Sequence, residues 1–196
     1  AIALEEEEDG AHILDVNVGV PGLDEEEVLP DLIRELQSVT SLPLQIDTTN
    51  VGAMEKAARI YNGRPLLNSV SGKREVMNAI FPIAQKYGAL CVALLLDDDG
   101  IPKTVEKRME IVDAILKEGA RYGLSEEHFL FDPLAMTISS QKDGATVVLE
   151  TLRCLKARGL RSTLGVSNIS FGLPGRDAVN STFFTAWIGE GQALET

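Results

Sequence analysis

The sequence predicts an α/β fold of the barrel kind, with parallel strands alternating with helices. Three observations predict it: short, nearly continuous apolar runs recur along the chain, helical patterns fill the gaps, and short polar side chains close almost every run at its C-terminal end. Near-continuous Val, Ile and Leu runs belong to strands buried on both faces of a parallel sheet. The β-α order alone fits a doubly wound sheet or a (β/α) barrel. A doubly wound sheet gathers its site at one switch point, whereas a barrel brings every strand end to one mouth. Polar residues at nearly all the ends therefore select the barrel.

In chain order, strands are expected at residues 12–18, 42–48, 64–70, 90–96, 128–134 and 162–170. The first helix between them spans 25–39 and carries Val28, Leu29, Leu32, Ile33 and Leu36 on one face, with Pro30 near its first turns. A short helix is expected at 51–61, then one at 73–86 that Pro82 should kink. Residues 104–122 place Met109, Val112, Ile115 and Leu116 at helical spacing, and helices at 146–157 and 176–187 complete the set. Gly88, Gly123 and Gly159 stand where helix C-caps are expected.

Composition narrows the function. A chain of 196 residues with 44% apolar content can bury one large core. Its net charge of -12 repels phosphate backbones and anionic membranes, so nucleic acid and membrane surfaces are excluded as partners. No apolar stretch approaches the roughly 18 residues of a membrane span. The N-terminus has no basic region before the acidic run Glu5 to Asp9 and no initiator Met, so it reads as processed or excised rather than as a signal peptide. Cys91 and Cys154 read as core or boundary residues, and two cysteines do not make a disulfide scaffold. A reducing, cytoplasmic location is expected.

The strand ends carry the candidate chemistry. They hold Asp15 and Asn17, Asp47, Asn68, Asp132, and Ser167-Asn168. An Asp at a strand end usually caps the next helix, and Asp97-Asp98-Asp99 before Gly100 reads as a solvated turn. The convergence of Asp15, Asn17, Asp47, Asn68, Asp132 and Asn168 is the stronger signal. These are short acceptors and amides, with no Lys or His at the same positions. A carboxylate accepts two bonds from an amidine-like N–H pair, and an amide faces a mixed donor–acceptor edge, so the set suits a flat, neutral heterocycle. It does not suit a phosphate, which needs cations or a glycine-rich nest. His12 and His128 fall at strand starts and read as structural; no His/Cys cluster resembles a metal site. The Gly172-Leu173-Pro174-Gly175 segment reads as a plain loop or a flap over the mouth.

Five short motifs, in order, carry a family resemblance. They are Gly-Ala-His-Ile-Leu-Asp-Val-Asn-Val-Gly at 10–19, Leu-Gln-Ile-Asp-Thr-Thr at 44–49, Leu-Asn-Ser-Val-Ser at 67–71, Phe-Asp-Pro-Leu at 131–134 and Gly-Val-Ser-Asn-Ile-Ser-Phe at 165–171. The Gly100-Ile101-Pro102 turn adds a sixth point of likeness. Over about residues 8–185 the chain resembles the pterin-binding methyltransferases. That family includes the folate domain of cobalamin-dependent methionine synthase and the methyltetrahydrofolate:corrinoid/iron–sulfur protein methyltransferase, with dihydropteroate synthase more distant. The run from Ser167 to Arg176 resembles the methionine synthases more.

The resemblance implies a (β/α)8 TIM-type barrel, here covering barrel strands two to seven, in one pterin-binding domain over residues 1–196. The segment reads as a fragment, with an atypical tail at 186–196, so a pterin-binding piece without turnover is one alternative. The resemblance also implies binding of methyltetrahydrofolate and transfer of its N5 methyl to a Co(I) corrinoid. Asp47, Asn68 and Asp132 are then expected on the pyrimidine edge and ring nitrogens, Asp15 and Asn17 shaping the mouth, and Asn168 near N5 as the catalytic residue. No Asp-x-His-x-x-Gly signature is present, so the corrinoid is expected on a partner domain or protein, and no metal in this domain. A homodimer is compatible with this reading. Dihydropteroate synthase chemistry needs a basic residue near its pyrophosphate leaving group, where this chain has Ser167-Asn168.

Overall fold

The computed structural model describes residues 2–136, 144–172 and 174–189, with side chains to 185. Its order is α1(Ile2–Glu8), β1(Leu14–Asn17), α2(Glu25–Val39), β2(Leu44–Asp47), α3(Val51–Ile60), β3(Leu66–Ser71), α4(Arg74–Tyr87), β4(Leu90–Leu94), α5(Val105–Arg121), β5(Phe129–Asp132), α6(Gly144–Ala157), β6(Arg161–Ser162) and α7(Arg176–Gly189). Two 3-10 helices, Glu126–His128 and Val166–Ser170, precede β5 and follow β6.

The six strands form one sheet in the order β1-β2-β3-β4-β5-β6, and every pairing is parallel. Right-handed crossovers between sequential parallel strands put every helix on the same face. The core agrees. Leu14, Val16, Leu44, Ile46, Leu67, Cys91, Phe129 and Phe131 alternate out of the strands into one cluster with Leu29, Ile33, Met54, Phe81, Ile115 and Leu155 of the helices. The opposite strand face packs a separate cluster, Leu66, Val92 and Leu130 with Ile13, Leu90 and Leu94. A doubly wound sheet would reverse its strand order and cover both faces with helices. The sequential order and one-sided helices are those of a (β/α) barrel wall, whose concave face carries the smaller cluster. Among the described residues β1 and β6 do not pair with each other.

Local chemistry sets the helix starts. Asp24, Asn50 and Thr104 each accept a backbone N–H of the first turn of α2, α3 and α5. Gly88 closes α4 at φ 63, where a left-handed residue is required. Gly72 is fixed by crowding instead: a Cβ there would stand 2.8 Å from Ile111 Cγ2 and 2.9 Å from the Leu96 carbonyl oxygen. That close passage brings the end of β3 against the end of β4, next to the mouth.

One expectation is corrected. The sixth strand was expected over 162–170, but β6 is two residues long and Val166–Ser170 is a 3-10 helix. Val166 and Ile169, three residues apart, both turn into a satellite cluster with Leu152, Leu164 and Phe183, and that spacing is helical. The acidic N-terminal run forms α1, tied down by Thr40 Oγ1 donating to Glu7 at 2.7 Å. Pro82 lies inside α4, which runs from Arg74 to Tyr87.

Candidate functional site at the strand ends

Strand alternation decides which side chains reach the concave face. In β1, Leu14 and Val16 go to the helices, so Asp15 and Asn17 face inward. In β2 the same parity turns Gln45 and Asp47 inward, and the register pairs Asp15 with Gln45 and Asn17 with Asp47. Asp47 in turn pairs with Asn68 of β3. Asn17, Asp47 and Asn68 therefore form one row across three adjacent strands at the C-terminal edge. In β5, Phe129 and Phe131 go to the helices, so Leu130 and Asp132 face inward, Asp132 level with Leu94.

A register shift between Asn68 and Val70 marks a β-bulge. A bulge inserts one unpaired residue and re-aims its neighbours. Asn68 and Ser69 consequently both line the same cleft, which a strict alternation would forbid. The cleft holds about 430 Å³ and is lined by Asp47, Thr48, Asn68, Ser69, Ser71 and Lys73 on its polar side, with Val76, Ile80, Leu94 and Leu96 among the apolar walls.

The polar residues hold one another. Asn17 Nδ2 donates to Asp47 Oδ2 at 2.8 Å, and Asn17 Oδ1 accepts the Gly19 N–H at 2.8 Å. Gln45 Nε2 donates to Asp15 Oδ1 at 2.6 Å. Burial pushes the Asp15 carboxyl above the ordinary aspartate range; the Gln45 bond pulls it back, the nearby Asp47 charge raises it further, and an Asn68 bond lowers it. Gln45 is 2% exposed, and its Oε1 has no hydrogen-bond partner among the described residues.

Asp132 lives in a different environment. It is 8% exposed, and its Oδ1 accepts the Leu134 N–H at 2.7 Å. Burial raises its carboxyl to about 6, against the opposing pull of that bond and of the Arg108 charge. Arg108, on α5, is fully buried. It donates from Nη1 to the Pro133 carbonyl at 2.5 Å and from Nε to the Pro102 carbonyl at 3.0 Å. Burial lowers the Arg108 pKa, and Asp132 opposes that. One guanidinium thus ties the β4–α5 loop to the β5 end and puts positive charge behind a buried carboxylate.

The fold brings Asp15, Asn17, Asp47 and Asn68 together and sets Asp132 on the same concave face. Asn168 lies beyond β6 on the 3-10 helix, exposed, and not at a strand end as expected. Arg176 fastens that turn, donating to Ser170 Oγ at 3.1 Å and to the Ser167 carbonyl at 3.1 Å. Leu173 of the glycine-rich loop falls outside the described residues. Asp97 accepts the Asp99 N–H at 3.0 Å, so the triple aspartate is the expected turn. His128 Nδ1 accepts the Ser125 N–H at 3.0 Å in the turn before β5, away from the mouth.

Sequence reasoning missed Gln45, Arg108 and Lys73. Gln45 was accessible, since it lies two residues before Asp47 and shares its face. Arg108 sits between Lys107 and Met109 in a stretch that reads as a solvated helix turn. Lys73 corrects the expectation of a cation-free mouth, because it stands two residues past the end of β3 and lines the cleft.

An inward row of carboxylates and amides at the C-terminal edge of a (β/α) barrel wall defines a small-molecule barrel site. Residues 1–193 match the family described as pterin binding enzyme, and the chain belongs to that family. It is 32% identical to methionine synthase of Mycobacterium tuberculosis over 93% of this chain and 16% of that protein. It is 30% identical to the methylcorrinoid:tetrahydrofolate methyltransferase of Eubacterium limosum over 93% of this chain and 69% of that protein. The chain therefore spans only a small part of the methionine synthases it matches. In fold it is similar to dihydropteroate synthase of Thermus thermophilus, with a TM-score of 0.80 at 20% identity, over 99% of this chain and 80% of that one. Among the described residues no helix is long and apolar enough to cross a membrane, and no group of three or more His, Cys, Asp or Glu is placed to hold a metal ion.

Proposed function

We propose that the chain binds methyltetrahydrofolate at the concave strand ends and passes its N5 methyl to a Co(I) corrinoid, as part of a cobalamin-dependent methionine synthase. The observation that carries this reading is the Asn17–Asp47–Asn68 row, with Asp132 level with the next layer on the same face. Carboxylates can take the N–H groups of a pyrimidine edge, and Asn68 can pair with the mixed edge beside it. Asp15 and Asn17 orient those groups rather than touch the ring: Asn17 already spends its amide on Asp47.

Neither histidine stands at the mouth to ligate a corrinoid cobalt. His12 stands exposed just before β1, and His128 is engaged by Ser125 at the far end of β5. In this reading the corrinoid is the acceptor substrate, brought by a partner domain or protein. A tertiary amine leaves poorly unless N5 gains a proton or hydrogen bond as the methyl departs. Asn168, on an exposed turn after β6, can supply an amide to N5 or to a water beside it. In this reading the chain is one barrel domain of a larger enzyme in the reducing cytoplasm, and a homodimer is compatible with it. The similarity to the Eubacterium limosum enzyme, 69% of whose length the chain spans, favours as second reading a separate methyltransferase that exchanges methyl groups with a corrinoid protein.

Single-turnover transfer from methyltetrahydrofolate to Co(I) cobalamin tests the reaction. Asn168→Ala is expected to lower the saturated rate more than it weakens substrate binding. A saturated rate equal to that of the unaltered chain removes Asn168 from the chemical step, and no transfer by the unaltered chain overturns the activity.

A further inference from the structure

The cleft extends past its polar floor. Besides Asn68 and Ser69 it is lined by the start of α4, through Val76 and Ile80 as apolar groups and Lys73 as a cation. Lys73 occupies the N-cap position of α4, yet its side chain makes no capping bond. A position normally given to Ser, Thr, Asp or Asn is here held by a cation that contributes nothing to the cap. The Lys73 ammonium also has no ion-pair partner among the described residues. It is half-buried and is the one cation among the described residues lining this cleft, in a chain of 30 acidic and 18 basic residues. Asp47 and Glu75 are the anions along the same wall.

Three chemistries therefore line a single cleft: carboxylate and amide groups, apolar side chains, and an ammonium with no ion-pair partner among the described residues. A folate presents the complementary set: a pterin, an aryl ring and glutamate carboxylates. Lys73 stands five residues beyond Asn68. At about 3.3 Å of rise per extended residue their Cα atoms are at most about 16 Å apart, a distance an extended folate covers. We propose that Lys73 binds the glutamate carboxylates of the folate tail, so that the site selects folates over bare pterins. This rests on the pterin reading of the mouth. Without the ammonium, the surrounding acidic surface repels a dianionic tail; with it, the tail gains a charge-assisted bond that weakens as salt rises.

The test is calorimetric titration of the chain and of Lys73→Ala with two probes, methyltetrahydrofolate and a tail-less methylated tetrahydropterin. Lys73→Ala is expected to weaken methyltetrahydrofolate about fivefold at low salt, a typical loss for a partly exposed charge pair. The tail-less pterin keeps its affinity in the variant, Lys73→Arg restores the folate, and added salt erases the tail's advantage. Equal losses for both probes, or no loss for the folate, overturn the proposal. If the unaltered chain binds the tail-less pterin as tightly as the folate, Lys73 fails and the pterin reading stands. If it binds neither probe, the pterin reading itself fails.

Discussion

The mouth has two halves built from the same residue type and set in different surroundings. On the β1–β3 side, Asp47 is only half-buried and is held by an amide, Asn17, that is itself exposed. On the β5 side, Asp132 is buried against a fully buried arginine, and its carboxyl is raised to about 6. The difference teaches that spacing at strand ends places carboxylates, while the next layer sets their charge. A half-buried carboxylate keeps part of its hydration until a ligand displaces it. A buried one carries a desolvation cost that a ligand's N–H groups can offset.

The strongest way to break this contrast is to remove the arginine. Arg108→Leu leaves the Pro102 and Pro133 carbonyls without their donor and strips the positive charge from behind Asp132. Stability should fall by about 3 kcal/mol, read as a lower denaturant midpoint, since each buried polar group left unpaired costs about 1–3 kcal/mol. A loss below about 1 kcal/mol would mean that the buried guanidinium is not what organises the β5 side.

The pH dependence sharpens the contrast next. Asp132 has a folded pKa raised from 3.8 to about 6. The folded state therefore binds this proton more tightly than the unfolded state. The group favours the folded state below about pH 4, and that contribution is lost as pH rises to about 6. Binding runs the other way, because a carboxylate must be ionised to accept two N–H bonds. Methyltetrahydrofolate affinity should be roughly tenfold weaker at pH 5 than at pH 7, and Asp132→Asn should flatten that profile. An unchanged profile in Asp132→Asn would assign the titration to another group.

Asn17→Ala is expected to do less. It removes one 2.8 Å bond to Asp47 in an exposed setting and should weaken ligand binding by about 1 kcal/mol, with little change in thermal stability. Asn168→Ala should have the smallest effect on stability, within about 0.5 kcal/mol, because the residue is exposed. A larger drop in melting temperature would make Asn168 a structural residue of its turn.

The two halves also differ in how much of them the sequence disclosed. The β1–β5 units were legible because Leu14, Val16, Leu44, Ile46, Leu67, Phe129 and Phe131 sit in dense apolar runs with inward polar residues between them. The inward placement of Asp15, Asn17, Asp47 and Asn68 follows from period two. What period two could not supply was the β3 bulge that aims both Asn68 and Ser69 at the cleft, since a bulge depends on pairing with β4. Nor could it show Arg108, whose partners are carbonyls 6 and 25 residues away in the chain. The 162–170 run was misread as a strand because Leu164, Val166 and Ile169 are apolar in either reading. Packing against Leu152 and Phe183 decides for the helical turn.

The central claim, that a pterin's edge is held by the buried carboxylate of β5, is tested most directly by titrating methyltetrahydrofolate into the chain and into Asp132→Asn in a calorimeter at pH 7.5. The account predicts saturable binding by the chain and a loss of about 1–3 kcal/mol in the variant, the cost of spoiling a charge-assisted bond in a buried site. Equal affinity in the two proteins would contradict it.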